Sequence, residues 1–349
     1  MTDEMRTSTR DLGELQDRVC TWLRGRIAGP VTVSELSRPS GNGMSSETLF
    51  FTANSQRCVA RMAPAAEAVP VFPAYDLRAQ FEIMRLARER AGIPAPRALW
   101  FEPDPEPLGT PFFVMEREDG EVPPDVMPYT MGGWLAEAAP GDRRRLQEAT
   151  VAIVAALHDA PFAEPDLDVL GGRGLRAHVD AQRAYYAWAH ADRPIPLLER
   201  AFDWLEAHWP ADPGPDVLSW GDARIGNVMY RDFTPVAVLD WEMAAVGPRE
   251  LDLGWMIFLH RFFQDIAVVF ELPGLPGFMR REDVCRTYRE LTGYEPRDMD
   301  FYETYAALRH GIIMARVWQR RIHFGEQPRP DDPDDLVMHR AALEELITG

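Results

Sequence analysis

The sequence predicts an α+β protein of two lobes, a small one built on an antiparallel sheet and a larger helical one. Three observations carry this. Up to about residue 117, short apolar runs alternate with turns rich in Gly, Pro and Asn, the pattern of antiparallel strands. From Asp142 onward, apolar residues recur at helical spacing over long stretches. A chain of 349 residues also exceeds what one hydrophobic core ordinarily organises. The spans expected for the two lobes are 1–117 and 118–349.

Taken in order, residues 11–28 read as an amphipathic helix, with Leu12, Leu15, Val19, Trp22, Leu23 and Ile27 on one side and Gly29-Pro30 as the stop. Val31 to Leu36 and Thr48 to Thr52 read as strands around the turn Ser40–Glu47. That turn can lay backbone N–H groups against phosphate oxygens, which makes Gly41, Gly43 and Ser45 candidates for phosphate contact; an ordinary hairpin uses the same residues. Cys58 to Met62 is a short strand with one charge, Arg61. Ala63 to Pro73 is too broken by Pro for helix or central strand, and reads equally as a flap or a long connection. A helix follows from about Tyr75 to Arg90. Glu82 on it faces either Arg61 or, along the helix, Arg78 or Arg85. Arg97–Phe101 and Pro111–Glu116 are further strands, ending in polar Arg117–Gly120.

The second half reads as helices over Asp142–His158, Leu175–Ala191, Pro196–Trp209 and Glu250–Phe270, then near 281–292, 298–323 and 332–347. Asp252, in the first turn of the long apolar helix, suits the helix dipole and reads as support for a neighbouring loop. Charges at Asp252, His260, Arg261 and Asp265 argue that this helix is not a membrane span.

The net charge of −18 disfavours a nucleic acid or an anionic membrane surface as partner. It suits a cationic ligand but equally just solubility. Lys is absent, so all 37 basic residues are Arg, which is always charged and binds phosphate bidentately. Cys20, Cys58 and Cys285 show no paired spacing for a metal or disulfides. The start, Met1-Thr2-Asp3-Glu4, has no basic-then-apolar leader pattern, so the expected location is a reducing cytoplasm.

Between the helices lies Ser219-Trp220-Gly221-Asp222-Ala223-Arg224-Ile225-Gly226-Asn227, and then Val236-Ala237-Val238-Leu239-Asp240-Trp241-Glu242. The pattern reads as a loop, a hairpin, and a carboxylate delivered at the end of its second strand. Three oxygen-bearing side chains so spaced suit phosphoryl transfer from ATP: one Asp orients the attacking hydroxyl, and an Asn and a second Asp hold Mg²⁺. Asp and Asn are also common turn residues; the combination and the hairpin length favour the chemical reading.

These stretches, with Gly247-Pro248-Arg249-Glu250-Leu251-Asp252-Leu253-Gly254, resemble the aminoglycoside phosphotransferase-like family of small-molecule kinases. The resemblance covers most of the chain and is strongest from Trp220 to Gly254. It implies a protein-kinase-like fold, with ATP bound by the N-terminal lobe and catalysis in the C-terminal one. By resemblance Asp222 is the catalytic base, and Asn227 and Asp240 are the Mg²⁺ ligands. Arg61 stands where kinases carry the Lys that pairs with ATP, and Glu82 where they carry its helical partner. Backbone groups of about Glu116 to Glu118 would meet the adenine. One departure is Trp220, where the family usually has His. The implied acceptor is the hydroxyl of a small molecule, set against the helical lobe near Trp255, His260, Arg261, Tyr302, Tyr305 and Trp318. The family phosphorylates antibiotics, sugars, choline and acyl-chain hydroxyls, and the residues do not choose among them. The alternative reading is a nucleotide-binding regulator of the same fold that has lost catalysis, for which Trp220 and Arg61 speak. A metal-dependent hydrolase lacks its His cluster.

Overall fold

The computed structural model describes residues 11–39, 46–190 and 193–349, so Gly41, Gly43 and Ser45 lie outside the described residues. The chain forms two compact units, Met1–Arg85 with Pro96–Glu118, and Leu86–Ala95 with Asp119–Gly349.

In the first unit, helix α1 (Leu12–Arg24) begins where the Asp11 carboxylate accepts the Glu14 N–H (2.9 Å). Strands β1 (Val33–Ser37), β2 (Glu47–Ala53), β3 (Gln56–Met62), β4 (Ala98–Glu102) and β5 (Phe112–Glu116) form one antiparallel sheet in the order β1-β2-β3-β5-β4. Leu49, Phe51 and Ala53 alternate with half-buried positions; Cys58, Ala60 and Met62 of β3 and Phe112 and Val114 of β5 join them in one core cluster, and the intervening Val59 and Phe113 are buried as well. That face packs on Leu15, Val19, Trp22 and Leu23 of α1. Each fully buried aliphatic or aromatic side chain there contributes roughly 1.5–3 kcal/mol. The β2–β3 hairpin turns at Asn54, whose left-handed φ of 55° suits Asn better than most residues. Helix α2 (Leu77–Arg90) starts two residues later than the sequence spacing indicates, because the Asp76 side chain accepts the Ala79 N–H (2.8 Å) and fixes the start there.

The second unit carries α3 (Trp134–Glu137), α4 (Pro140–Asp159), α5 (Gly174–Ala189), α6 (Pro196–Ala207), α7 (Glu250–Val269), α8 (Arg281–Thr292), α9 (Met299–His323) and α10 (Arg340–Thr348). Two small antiparallel pairs are set among them. One joins β6 (Asp216–Ser219) to β9 (Ala245–Pro248); the other is the hairpin of β7 (Val228–Arg231) and β8 (Thr234–Val238). Every α7 residue from Glu250 to Phe263 is buried except half-buried Arg261. Its close approach to α9 depends on Gly254, where a Cβ would stand 2.8 Å from the Tyr302 carbonyl carbon. No described helix is long and apolar enough to cross a membrane.

The expected helix over 332–347 is broken. The Asp332 carboxylate accepts the Asp334 N–H (3.0 Å), Pro333 opens a single 3-10 turn to Leu336, and α10 starts afresh at Arg340. The pair β6–β9 is also absent from the sequence reading, because four-residue strands carry too little periodicity.

Burial holds several histidines of this unit neutral. It lowers His178 to about 3 and His260 and His339 to about 4, and takes His310 well below its ordinary value. Unfolded histidine titrates near pH 6.5, so below that the unfolded chain binds more protons and stability falls. Burial raises Glu250 and Glu303, which opposes this. Thermal unfolding midpoints are therefore expected to drop steadily from pH 6.5 to pH 4.5. A midpoint that is flat or rising over that interval would contradict the assignment of these histidines as neutral.

Candidate active site

The loop after β6 is built around one buried carboxylate. Asp252 accepts from the Ser219 hydroxyl (2.8 Å), the Trp220 N–H (2.7 Å), the Gly221 N–H (2.8 Å) and His158 Nε2 (3.0 Å). Burial opposes its charge, yet these donors hold its pKa below the usual carboxylate value. His158 is in turn bonded at Nδ1 to the Tyr288 hydroxyl (2.8 Å). The expectation that Asp252 supports the loop agrees with this geometry. Gly221 has φ +86°, and a Cβ there would fall 1.8 Å from the Met243 carbonyl oxygen, so the turn admits only glycine.

Trp220 is fully buried. Its indole N–H donates to the carbonyls of Leu239 (2.9 Å) and Asp240 (3.1 Å). A side chain that departs from the family pattern thus ties the Asp222 loop to the residue expected as a metal ligand. In this respect Trp220 is a structural strut, and it counts little towards lost catalysis.

Asp222, half-buried, is held by three side chains. Trp255 Nε1 donates to Oδ1 (2.6 Å), Asn227 Nδ2 to Oδ2 (2.6 Å), and Arg224 Nε to both oxygens (3.1 and 3.2 Å). The Arg224 guanidinium reaches on to Asp125 with NH1. Burial disfavours its charge, but Asp222, Asp125 and also Asp240 more than compensate, so its pKa stands above the ordinary value. The field of all three carboxylates therefore converges on one cation. Behind the loop, Arg309 is 1% exposed, donates to the Gly221 carbonyl (3.0 Å) and lies 4.5 Å over the Trp255 ring. Its Nε has no hydrogen-bond partner among the described residues. It braces both the loop and the indole that holds Asp222.

The β7–β8 register, Val228 opposite Val238, brings Asn227 beside the end of the hairpin, and the Leu239 N–H donates to the Asn227 carbonyl (2.8 Å). Asp240 follows with a left-handed φ of 59°. Because Asn227 spends its N–H₂ on Asp222, bonding to both the carboxylate and the main-chain carbonyl (3.1 Å), its amide oxygen stays available. An amide oxygen and a carboxylate suit a hard divalent cation such as Mg²⁺, which keeps other positions for water and phosphate.

The remaining expected positions are distributed as follows. Arg61 lies on β3 and Glu82 on α2, but the Glu82 carboxylate binds Arg85 one turn on (3.1 Å), so the expected Arg61–Glu82 pair is corrected to a local helix pair. Glu116 ends β5 and accepts from Gln56 (2.9 Å) and Arg97 (2.6 Å); its own N–H and that of Arg117 are taken by the carbonyls of Arg97 and Arg57. Glu118 follows, half-buried. Of the residues expected to face an acceptor, Tyr302 and Tyr305 are core, Tyr305 bonds His178 (2.6 Å), and His260 is held by Tyr129 (2.9 Å) and the Leu275 carbonyl (3.1 Å). Arg261 pairs with Glu345. Trp318 is half-buried, with its indole N–H unpaired among the described residues, and Trp255 points at Asp222. The sequence reading missed Arg224, Asp125 and Arg309. Arg224, two residues after Asp222 inside the motif, could have been found; Asp125 and Arg309 are distant in sequence and carry no local signal.

Comparison with known proteins fits this geometry. Residues 37–277 match the family described as the phosphotransferase enzyme family, APH. Among curated relatives, acyl-CoA dehydrogenase family member 11 of Gallus gallus is 31% identical over 265 residues, 73% of this chain and 32% of that protein. Family member 10 of Mus musculus is 25% identical over 325 residues, 88% of this chain and 28% of that protein. The chain thus spans about a third of the length of these relatives. Among solved structures, a Ralstonia eutropha protein provisionally assigned as an aminoglycoside phosphotransferase superposes with TM-score 0.68 at 19% identity, covering 95% of this chain and 96% of that one. A thermostable mutant of aminoglycoside phosphotransferase APH(4)-Ia, in ternary complex with ADP and hygromycin B, gives 0.58 at 16% identity, covering 95% and 99%. At these identities the structures speak for the fold, and the match over more than half the chain speaks for membership: the chain belongs to the phosphotransferase enzyme family.

Proposed function

We propose that the protein transfers the γ-phosphoryl group of ATP to a hydroxyl of a small molecule, with Mg²⁺ present. The observation that carries this reading is the Asp222 carboxylate, fixed by three separate N–H-bearing side chains, one of them Asn227, with Asp240 near enough for its charge to act on Arg224. A carboxylate so fixed is pre-organised to orient a hydroxyl, which is most of what phosphoryl transfer asks of a protein. Bound Mg²⁺ would neutralise charge on the phosphates. Asn227 Oδ1 and Asp240 would hold it. The acceptor oxygen bonds to the γ-phosphorus as the bond to the β–γ bridging oxygen breaks, ADP leaves with that electron pair, and the hydroxyl proton passes to Asp222. Arg224 is placed to hold Asp222 in register and to balance charge as the phosphoryl group moves. Gly41, Gly43, Ser45 and Arg61 would serve the phosphates of ATP, and the main chain from Glu116 to Glu118 its adenine.

For the acceptor, the relatives favour a hydroxylated acyl thioester over an aminoglycoside. The curated relatives are named for acyl-CoA dehydrogenases, and this chain aligns with about a third of each. A phosphotransferase carried on such a chain would share its acyl-CoA metabolites. The test is acceptor-dependent ADP release across hydroxyacyl-CoA thioesters, choline, simple sugars, hygromycin B and kanamycin. Turnover with the thioesters supports the full reading, and turnover with another alcohol removes the acyl class. Mg²⁺-dependent ATP binding with no turnover on any acceptor would replace the whole reading by that of a silent regulator.

A further inference from the structure

Away from the Asp222 loop, the second unit holds a cavity of about 520 Å³ between the start of α4, the 274–280 loop and the start of α8. Its size falls within the range of small-molecule sites. In a chain of net charge −18 its lining is cationic, with Arg143, Arg144, Arg280 and Arg286 against Glu148 and Asp283. We propose that this cavity binds the phosphate groups of a nucleotide-bearing ligand, the phosphorylated adenosine end of an acyl-CoA acceptor being the source that fits the reading above, on which that identification rests.

Asp283 draws two of the arginines together. One carboxylate oxygen holds Arg280 through Nε (2.7 Å) and NH2 (2.6 Å), and the other holds Arg286 NH2 (2.8 Å). Two guanidinium groups held side by side on one carboxylate leave a net positive charge and several N–H donors unused, which is a lining that phosphate oxygens satisfy bidentately. Arg144 has no hydrogen-bond or ion-pair partner among the described residues, although Glu148 stands one helical turn on. Arg143 is pinned by donating to the carbonyls of Ala136 (2.9 Å) and Ala138 (2.8 Å). The floor is fixed, since buried Gln147 accepts the Met279 N–H (2.6 Å) and ties the loop to α4. At the start of α4, Pro140 has no N–H and the Ala139 carbonyl accepts those of Asp142 (3.0 Å) and Arg143 (3.1 Å), so the arginine side chains supply the donors.

The cavity is also connected to the reacting centre. The carbonyl of Leu275, on its wall, accepts from His260, and His260 bonds Tyr129, whose backbone N–H is held by Pro124, next to Asp125. Asp125 binds Arg224. On this proposal an acceptor with its hydroxyl at Asp222 lays its far phosphates here.

The test is calorimetric titration of the full chain, with Mg²⁺ and a non-hydrolysable ATP analogue saturating the catalytic site. Adenosine 3′,5′-bisphosphate, CoA and inorganic pyrophosphate are the probes. The comparison is with the double variant Arg144→Gln, Arg286→Gln, both exposed positions. We expect the bisphosphate and CoA to bind the wild type and to bind the variant at least tenfold more weakly. If the substrate supplies the phosphates, the variant also raises KM for a hydroxyacyl-CoA about tenfold with kcat within twofold. It leaves the KM of an acyl thioester lacking the nucleotide unchanged. Weakened binding without that KM change keeps the phosphate site and assigns it to a separate ligand. No binding to the wild type, or equal binding to both proteins, would overturn the site. Because binding is read without turnover, a protein lacking phosphotransferase activity would still pass or fail this test on its own terms.

Discussion

Changing Asp222 to Asn is expected to lower kcat for phosphoryl transfer by about 10²–10⁴-fold, the range typical for losing a positioned base. A thousandfold loss corresponds to about 4 kcal/mol of transition-state stabilisation. The change nearly preserves shape, and the amide oxygen can still accept from Trp255 and Arg224. Its N–H₂ group, however, would face Asn227 Nδ2, now 2.6 Å from the carboxylate, donor against donor. Asn227 relieves that contact only by rotating its amide, which turns its own N–H₂ toward the place a cation would occupy. The variant should therefore show two effects, a loss in kcat and a rise in the Mg²⁺ concentration needed for half-maximal rate, with the nucleotide dissociation constant without metal little changed. Steady-state rates against acceptor and metal, with a far-ultraviolet spectrum to confirm the fold, read both. A kcat within tenfold of wild type would remove Asp222 from the catalytic role.

What the sequence made legible about the candidate site is local. Asp222, Asn227 and Asp240 belong to one loop and one hairpin, and the number of residues between them fixes their separation, so spacing alone could bring them together. The helices were legible for a similar reason: α4, α7 and α9 are long enough for a period of 3.6 to declare itself. What failed depends on geometry in space. Glu82 had two arginines within helical reach and one across the sheet, and sequence order favoured the wrong one; a neighbour one turn along the same helix needs no loop to be closed and wins. Tyr302, Tyr305 and His260 look like surface recognition residues in a list of aromatic and polar side chains, yet they are packed into the core with their polar atoms paired or enclosed. Asp125 and Arg309 lie 97 residues before and 87 after Asp222. No local pattern marks them, and only the folded chain shows one steering Arg224 and the other bracing Trp255.

The largest expected loss of stability follows from Asp252. Replacing it with Ala is expected to cost about 3–5 kcal/mol, the range for removing one partner from a buried charged network. Four donors lose their acceptor together: the Ser219 hydroxyl, the main-chain N–H groups of Trp220 and Gly221, and His158 Nε2. Ser219, Trp220 and Asp252 are all buried, so water does not readily replace the lost bonds. Asp252→Asn separates charge from geometry. It supplies one oxygen and two N–H donors where the native group accepts on both oxygens, so whichever way it turns it opposes the main-chain N–H of Trp220 or Gly221 and should also be damaging. Because the pKa of Asp252 lies below the ordinary carboxylate value, its contribution is fully present above about pH 4, the unfolded value, and is lost as pH falls through the folded value. The Ala variant should therefore differ most from wild type near neutrality and converge with it in strong acid. Denaturant unfolding at pH 7 and at pH 3.5 measures both, and kcat at a temperature where the variant is still folded reads the released loop. An unfolding free energy within 1 kcal/mol of wild type at pH 7 would show that the Ser219–Asp222 turn is held by its own backbone, Gly221 above all, and does not depend on the carboxylate beneath it.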